Sequence, residues 1–167
     1  MIHESDGEIY RKHADELVRF ASGLVGPSDA ADVLSSAVLR TFTSPAWPSV
    51  TNRRAYLYRA VLNEARMWRR SQGRRLVRDD RHGRPDGRAG DEGGAGGCDD
   101  RTTTVRAEVR SALAELDVRS RGVLFLSYWA DLTPDEIAPL LDISASTVRR
   151  DLARARRKLR RMLDDRP

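Results

Sequence analysis

The sequence predicts an all-α protein built as two small helical domains on either side of a flexible linker. Three observations carry that prediction. Apolar residues recur at spacings of three and four through most of the chain, and no stretch shows sustained strand alternation. Between about residues 73 and 103 the periodicity stops, and Gly, Asp and Arg take over. Near the C-terminus a short capped helix, a tight turn and a longer basic helix follow one another, which is the pattern of a helix-turn-helix. The expected boundaries are 1–72 for the first domain, 73–103 for the linker and 104–167 for the second. Domains of roughly 70 and 60 residues bury only limited cores and are marginally stable alone.

The first domain reads as three helices. Ile9, His13, Leu17, Phe20, Ala21 and Leu24 recur at helical spacing, so a helix is expected over Glu8 to Leu24, with His13 as a partly buried structural residue. Gly26-Pro27 ends it, and Ser28 is placed as the cap of the next. Asp29 and Asp32 then lie in a first turn, where the helix dipole favours carboxylates. Val33, Leu34, Ala37, Val38 and Phe42 form the apolar side of this second helix. Thr43 to Asn52 is a loop holding two prolines and Trp47. A third helix is expected from about Arg53 to Arg70, with Leu57, Val61, Ala65 and Trp68 inward.

The stretch from Gly73 to Asp100 reads as a Gly-rich tether carrying Asp79, Asp80, Asp86, Asp91, Glu92, Asp99 and Asp100. Its glycines do not make a dinucleotide fingerprint, because no strand precedes them. Helical pattern resumes near Thr104, with Val105, Val109, Ala112, Leu113 and Leu116 in one helix. Asp117 is placed as the cap of a further helix, in which Val123, Leu124, Leu126 and Tyr128 face mostly inward.

The helix-turn-helix runs from Thr133 to Met162. Thr133 suits an N-cap, Pro134 the first helical position and Glu136 the reciprocal place in a capping box. Asp142-Ile143 makes the turn, although Asp is less at ease than Gly in a left-handed backbone, and Pro139 removes a donor inside the short helix. Ser144 caps the second helix. Val148, Leu152, Ala155, Leu159 and Met162 form its apolar stripe. Ser146, Arg150, Ala153, Arg154 and Arg157 lie opposite, with Arg149 and Arg160 on the flanks. Such a face is either a solvated basic surface or one laid in a DNA major groove; the caps, turn and amphipathic split together favour the groove.

Composition narrows the choice. The 167 residues carry a net charge of +5 and a pI of about 10.0, which fits an anionic partner. Only Lys12 and Lys158 are lysines; the rest of the basic residues are arginines, suited to bidentate contact with phosphate and guanine. A lone cysteine, Cys98, excludes an internal disulfide and a multi-cysteine zinc site. No apolar run reaches membrane-spanning length and no signal-peptide pattern opens the chain, so a cytoplasmic protein without membrane insertion is expected. His3, His13 and His82 do not combine with carboxylates at metal-ligand spacing, and no nucleophile motif appears. A hydrolase or nuclease is therefore disfavoured, and no catalytic residue, cofactor or metal is expected.

These motifs resemble an extracytoplasmic-function (group IV) RNA polymerase sigma factor of the sigma-70 family. The segment from Leu132 to Leu163 is similar to sigma region 4, Asp29 to Phe42 to region 2.2, and Arg54 to Arg75 to regions 2.3 and 2.4. The Arg-rich wording and the short domains resemble the SigE-like actinobacterial branch. The resemblance implies a non-enzymatic subunit that binds core RNA polymerase and recognises the −35 and −10 promoter elements. Ser146, Thr147, Arg149, Arg150, Arg154, Arg157 and Arg160 would meet the −35 element. Trp47, Arg53, Arg54, Tyr56, Arg59, Asn63 and Arg66 would bind and melt the −10 element. Melting needs aromatic surfaces for unstacked bases beside positive charge for phosphates, and Trp47 in its proline-flanked loop is the preferred base contact. Asp29, Asp32, Val33, Ser35, Ser36, Leu39 and Arg40 would dock on the polymerase, whose beta-prime clamp and beta flap are the implied partners. An anti-sigma factor is a further partner the resemblance allows, and the free chain is expected to be a monomer. The acidic linker either threads toward the polymerase active centre or is a plain tether. Two departures stand out: Ser35-Ser36 where the family often has Gln-Glu, and Met67 where an Asp is common. The alternative is a helix-turn-helix regulator that binds an operator without polymerase, but the N-terminal half resembles neither a sensor nor a dimerisation domain.

Overall fold

A computed structural model of the chain describes residues 5–81 and 109–164. The rest of the expected linker, with Cys98, lies outside the described residues, as do Val105 and the expected helix start at Thr104. Every regular element among the described residues is helical. In chain order they are α1 (Asp6–Val25), α2 (Pro27–Phe42), a 3-10 turn (Trp47–Ser49) and α3 (Arg53–Arg81). A short helical segment at residues 109–114 (α4) precedes α5 (Val118–Tyr128), α6 (Pro134–Leu141) and α7 (Ala145–Asp164).

The helix ends follow local chemistry. Helix α1 begins two residues before its expected start, because Ser5 and Glu8 form a full capping box. Gly26 separates α1 from α2 at φ +96°, a backbone that L side chains rarely adopt. Pro27 then opens α2 at its first helical position with no side-chain cap. Ser28 is therefore not the cap expected of it; its hydroxyl donates to Asp29 instead. Helix α3 does not stop near Arg70 but continues through Gly73 to Arg81, so the first nine positions of the expected linker are helical.

Helices α1, α2 and α3 pack as a three-helix bundle around Leu17, Phe20, Leu24, Val33, Leu34, Leu57, Tyr58 and Val61. In the C-terminal half, α5, α6 and α7 enclose Val123, Leu126, Ile137, Leu141, Val148 and Leu152. The sequence predicts two separate cores. Here they form one, because α5 lies against both α1 and α3 while α6 lies against α3. A Cβ added at Gly122 of α5 would touch Phe20, Leu24 and Leu62 of the first bundle, each at 3.4 Å.

Three side chains depart from expectation. Trp47 is only 3% exposed, so it is core and not an available base contact. Its ring sits 5.2 Å from Phe42 and 5.7 Å from Tyr56, and its indole N–H donates to Asp6 at 2.8 Å. Val33 is likewise buried, on the side of α2 shared with Ala30, Leu34 and Ala37, which removes it from any polymerase-facing set. Tyr128, which the sequence pattern places inward, is 64% exposed, with the Arg156 guanidinium 5.3 Å from its ring centre.

Candidate nucleic-acid and polymerase interfaces

The helix-turn-helix is organised as its sequence predicts. Thr133 and Glu136 form a capping box, and Pro134 occupies the first turn of α6. Asp142 takes the left-handed conformation at φ 57° and ψ 48°, closing α6, and the N–H of Ile143 bonds back to Ala138. The Ser144 hydroxyl accepts from the backbone N–H of Thr147 and meets the Ser146 and Thr147 hydroxyls. Val148, Leu152 and Ala155 are buried against α5 and α6, with Leu159 half-buried beyond them. That registry leaves Ser146, Arg149, Arg150, Arg154, Arg157 and Arg160 exposed and Thr147 half-buried at the start. Arg149 pairs with Asp135 of α6 at 2.8 Å, so its fork is already engaged; Arg150 has no ion pair to a described residue.

One buried ion pair sets the orientation of α7. Asp151 is 2% exposed and faces Arg119 of α5, Nε to Oδ2 at 2.8 Å and Nη2 to Oδ1 at 3.3 Å. It occupies the inner side of a helix whose outer side is basic, and the sequence reading missed it. The signal was a lone acidic residue between Arg149-Arg150 and a run of arginines.

On α3 the candidate residues divide. Arg53 lies over the Trp47 ring and Arg59 over Tyr56, at 5.1 and 5.7 Å from the ring centres. Arg54 donates to both oxygens of Glu16 on α1, at 3.2 and 2.8 Å, and stacks on buried Tyr58. Its role is to join α3 to α1. Burial, and then the Glu16 charge, pushes the Tyr58 phenol up to about 12. Asn63 is exposed and accepts from Arg66. Tyr56, Arg59, Asn63 and Met67 line a cleft of about 420 Å³ with Arg40 of α2 and Asp142 of the helix-turn-helix.

The outer face of α2 presents Asp32, Ser35, Leu39 and Arg40, with Asp29 and Ser36 half-buried beside them. Leu39 is 66% exposed on this polar face, while Arg40 pairs with Glu64 of α3 at 3.3 Å.

A capped helix-turn-helix with an open basic face, attached to a second helical bundle, defines a DNA-binding protein. Comparison with known proteins makes the class specific. A model of Sigma-70 region 2 matches residues 9–75, and one of Sigma-70 region 4 matches residues 106–159. The RNA polymerase sigma-E factor of Streptomyces antibioticus is 33% identical over 163 residues, spanning 95% of this chain and 84% of that protein. The protein of the same description from Streptomyces coelicolor is 32% identical over 162 residues, spanning 93% and 84%. Among solved structures, the sigma factor RpoE of Bartonella quintana, crystallised with the anti-sigma factor NepR, shares the fold. Its TM-score is 0.65 at 21% identity, covering 96% of this chain and 98% of that one. CnrH, solved with the cytosolic domain of CnrY, gives 0.55 at 26% identity, covering 97% and 89%. The chain belongs to the sigma-70 family of RNA polymerase sigma factors, in its extracytoplasmic-function group. It is thus a transcription initiation factor that works with core RNA polymerase and promoter DNA. No helix among the described residues is long and apolar enough to cross a membrane.

Proposed function

We propose that α7 reads the −35 element, α3 engages the −10 element and the outer face of α2 docks on the polymerase clamp. The observation that carries this reading is the exposed arginine face of α7, held outward by the Val148–Leu152–Ala155 stripe and the Arg119–Asp151 pair. Arg150, near the N-terminal end of that helix, is the base-reading candidate; Arg154, Arg157 and Arg160 are the phosphate contacts. On α3, Arg53, Tyr56, Arg59, Asn63 and Arg66 form the −10 surface, with Trp47 supporting Arg53 and Tyr56 from below. On α2, Leu39, Ser35, Asp32 and Arg40 are the docking residues. Residues 1–72 and 104–167 act as the two functional units, joined through 73–103. The protein performs no catalysis of its own and acts in the cytoplasm, and an anti-sigma factor is its expected regulator.

The test is in vitro transcription with purified core polymerase, followed by start-site mapping. Wild-type chain should direct initiation at discrete sites. Leu39→Arg should lower core affinity without loss of helicity, and Arg150→Ala should lower promoter selectivity without loss of core binding. Unchanged initiation for both variants would overturn the assignment of these two faces.

A further inference from the structure

We propose that the cavity beside the junction of α1 and α2, walled on its other sides by α3, α4 and α5, binds one nucleoside di- or triphosphate. The proposal is independent of the promoter contacts assigned to α3 and α7.

The cavity measures about 680 Å³, within the range of roughly 300–1,000 Å³ that small-molecule pockets occupy. Arg19 of α1, Arg69 of α3, Arg110 of α4 and Arg121 of α5 line it, and among the described residues no carboxylate does. The chain has 25 Asp and Glu, so four arginines meeting without one acid is not an ordinary salt-bridged surface. Arg19 and Arg110 are exposed and form no ion pair with a described residue. Arg69 and Arg121 converge on one acceptor, the Ala114 carbonyl, with Nη2 distances of 2.8 and 3.2 Å. Their two nitrogens are therefore at most 6.0 Å apart, the sum of those distances. One phosphate group can bridge such a gap with charge-assisted bonds of about 2.7–2.9 Å. Arg121 is 6% exposed, and its buried Nε finds no acceptor among the described residues. A buried donor left unused is costly, and an anion in the cavity would complete it. Burial, and then the Arg69 charge, lowers the pKa of Arg121, and a bound phosphate would offset that repulsion.

The same cavity carries an aromatic wall of Phe125 and Trp129. Their rings are stacked, 6.0 Å between centres and 19° between planes. Phe125 is held in place from α1. Phe20 meets it edge-on at 5.8 Å, and a Cβ at Gly23 would stand 2.7 Å from its ring. Trp129 is 70% exposed, an unusual position for an indole, and so offers a ring surface on which a base can stack. Clustered guanidiniums beside an open indole fit a molecule with a flat ring at one end and phosphates at the other. Inorganic phosphate would use only the arginines, and an uncharged aromatic only the Trp129 wall. A space of this volume, enclosed by several helices, takes a single small molecule and not a duplex.

The experiment titrates the full-length protein with ATP, GTP, inorganic pyrophosphate and guanosine, read by isothermal titration calorimetry and tryptophan fluorescence. Trp47 is buried and Trp68 half-buried, so quenching by a stacked base reports chiefly on Trp129. The nucleotides should fill one saturable site per chain, quench the fluorescence and bind about tenfold or more tighter than pyrophosphate, because only they gain the stacking. Guanosine should show no measurable binding. Arg19→Ala and Arg110→Ala change exposed residues outside the proposed DNA and polymerase surfaces. Each should weaken nucleotide binding about fivefold or more at unchanged helicity by circular dichroism. Trp129→Leu should abolish the quench and lower nucleotide affinity to that of pyrophosphate. Arg11→Ala removes an exposed α1 arginine that does not line the cavity, and should leave affinity unchanged. Equal losses for Arg11→Ala and Arg110→Ala would show attraction to the basic surface at large and overturn the site. Pyrophosphate binding as tightly as the nucleotides, or a Trp129→Leu protein that binds them as wild type does, would overturn the assignment of a nucleotide. Absence of saturable binding at millimolar nucleotide would overturn the proposal outright.

Discussion

Replacing Arg121 tests whether a buried guanidinium stabilises this fold or burdens it. The side chain makes three hydrogen bonds to carbonyls, two at 3.1 and 3.2 Å in its own half and one to Leu24 on α1, and it pairs with no described carboxylate. Its Nε has no partner among the described residues. Burial, and then the charge of nearby Arg69, draws its pKa down to about 10, so it is still cationic at neutral pH. Charge-assisted hydrogen bonds contribute about 1.5–3 kcal/mol each. Against them stands a desolvation cost of several kcal/mol for the buried cation. Arg121→Met keeps most of the packing and removes that cost, but leaves the Leu24 and Leu116 carbonyls without this donor, while the Ala114 carbonyl still accepts from Arg69. The expected net loss is about 1–3 kcal/mol, which lowers Tm by about 3–10 °C for a chain of this size. Arg121→Lys keeps the charge without the planar fork, so it should also lose stability. Thermal and urea unfolding at pH 7, followed by circular dichroism, read both variants. A methionine variant as stable as wild type would show that the carbonyl contacts do no more than offset the buried charge. The fork would then not be what holds α5 to α1.

Three further outcomes are expected. Trp47→Ala should cost about 3–5 kcal/mol in urea unfolding, as large core deletions do, whereas an exposed base-contacting residue would cost almost nothing. In a matched and mismatched −35 duplex series, Arg150→Ala should lose about 1–3 kcal/mol and relax preference at one position. Arg157→Ala should weaken all duplexes alike and lower the salt slope by about one. Burial alone would raise the Glu16 carboxyl, but hydrogen bonds from Arg54, His13 and Tyr58 outweigh it and hold the pKa below its ordinary 4.5. A depressed carboxyl stabilises the fold above its unfolded pKa and loses that contribution as pH falls through the folded one. Stability should therefore drop with acid at and below about pH 4.5, and Glu16→Gln should flatten that limb of a pH–stability profile.

What the sequence disclosed was mostly local. The capping box at Thr133 and Glu136, the Ser144 cap, the Asp117 cap and the α7 stripe each depend on residues within one or two turns, and each is present. The Ser5-x-x-Glu8 box was equally readable and marks the earlier start of α1. Helix α3 runs past Gly73 because one glycine costs a helix only about 1 kcal/mol, and the arginines around it are good helix formers. Long-range relations were not legible. The acceptor for the Trp47 indole, Asp6, lies 41 positions away, and nothing in a proline-flanked loop announces it. The exposure of Tyr128 depends on where α5 meets its neighbours, which period alone cannot fix. The joining of the two cores had a faint trace in Gly23 and Gly122, small residues on apolar helix faces whose meaning appears only when Phe125 and Phe20 are seen against them.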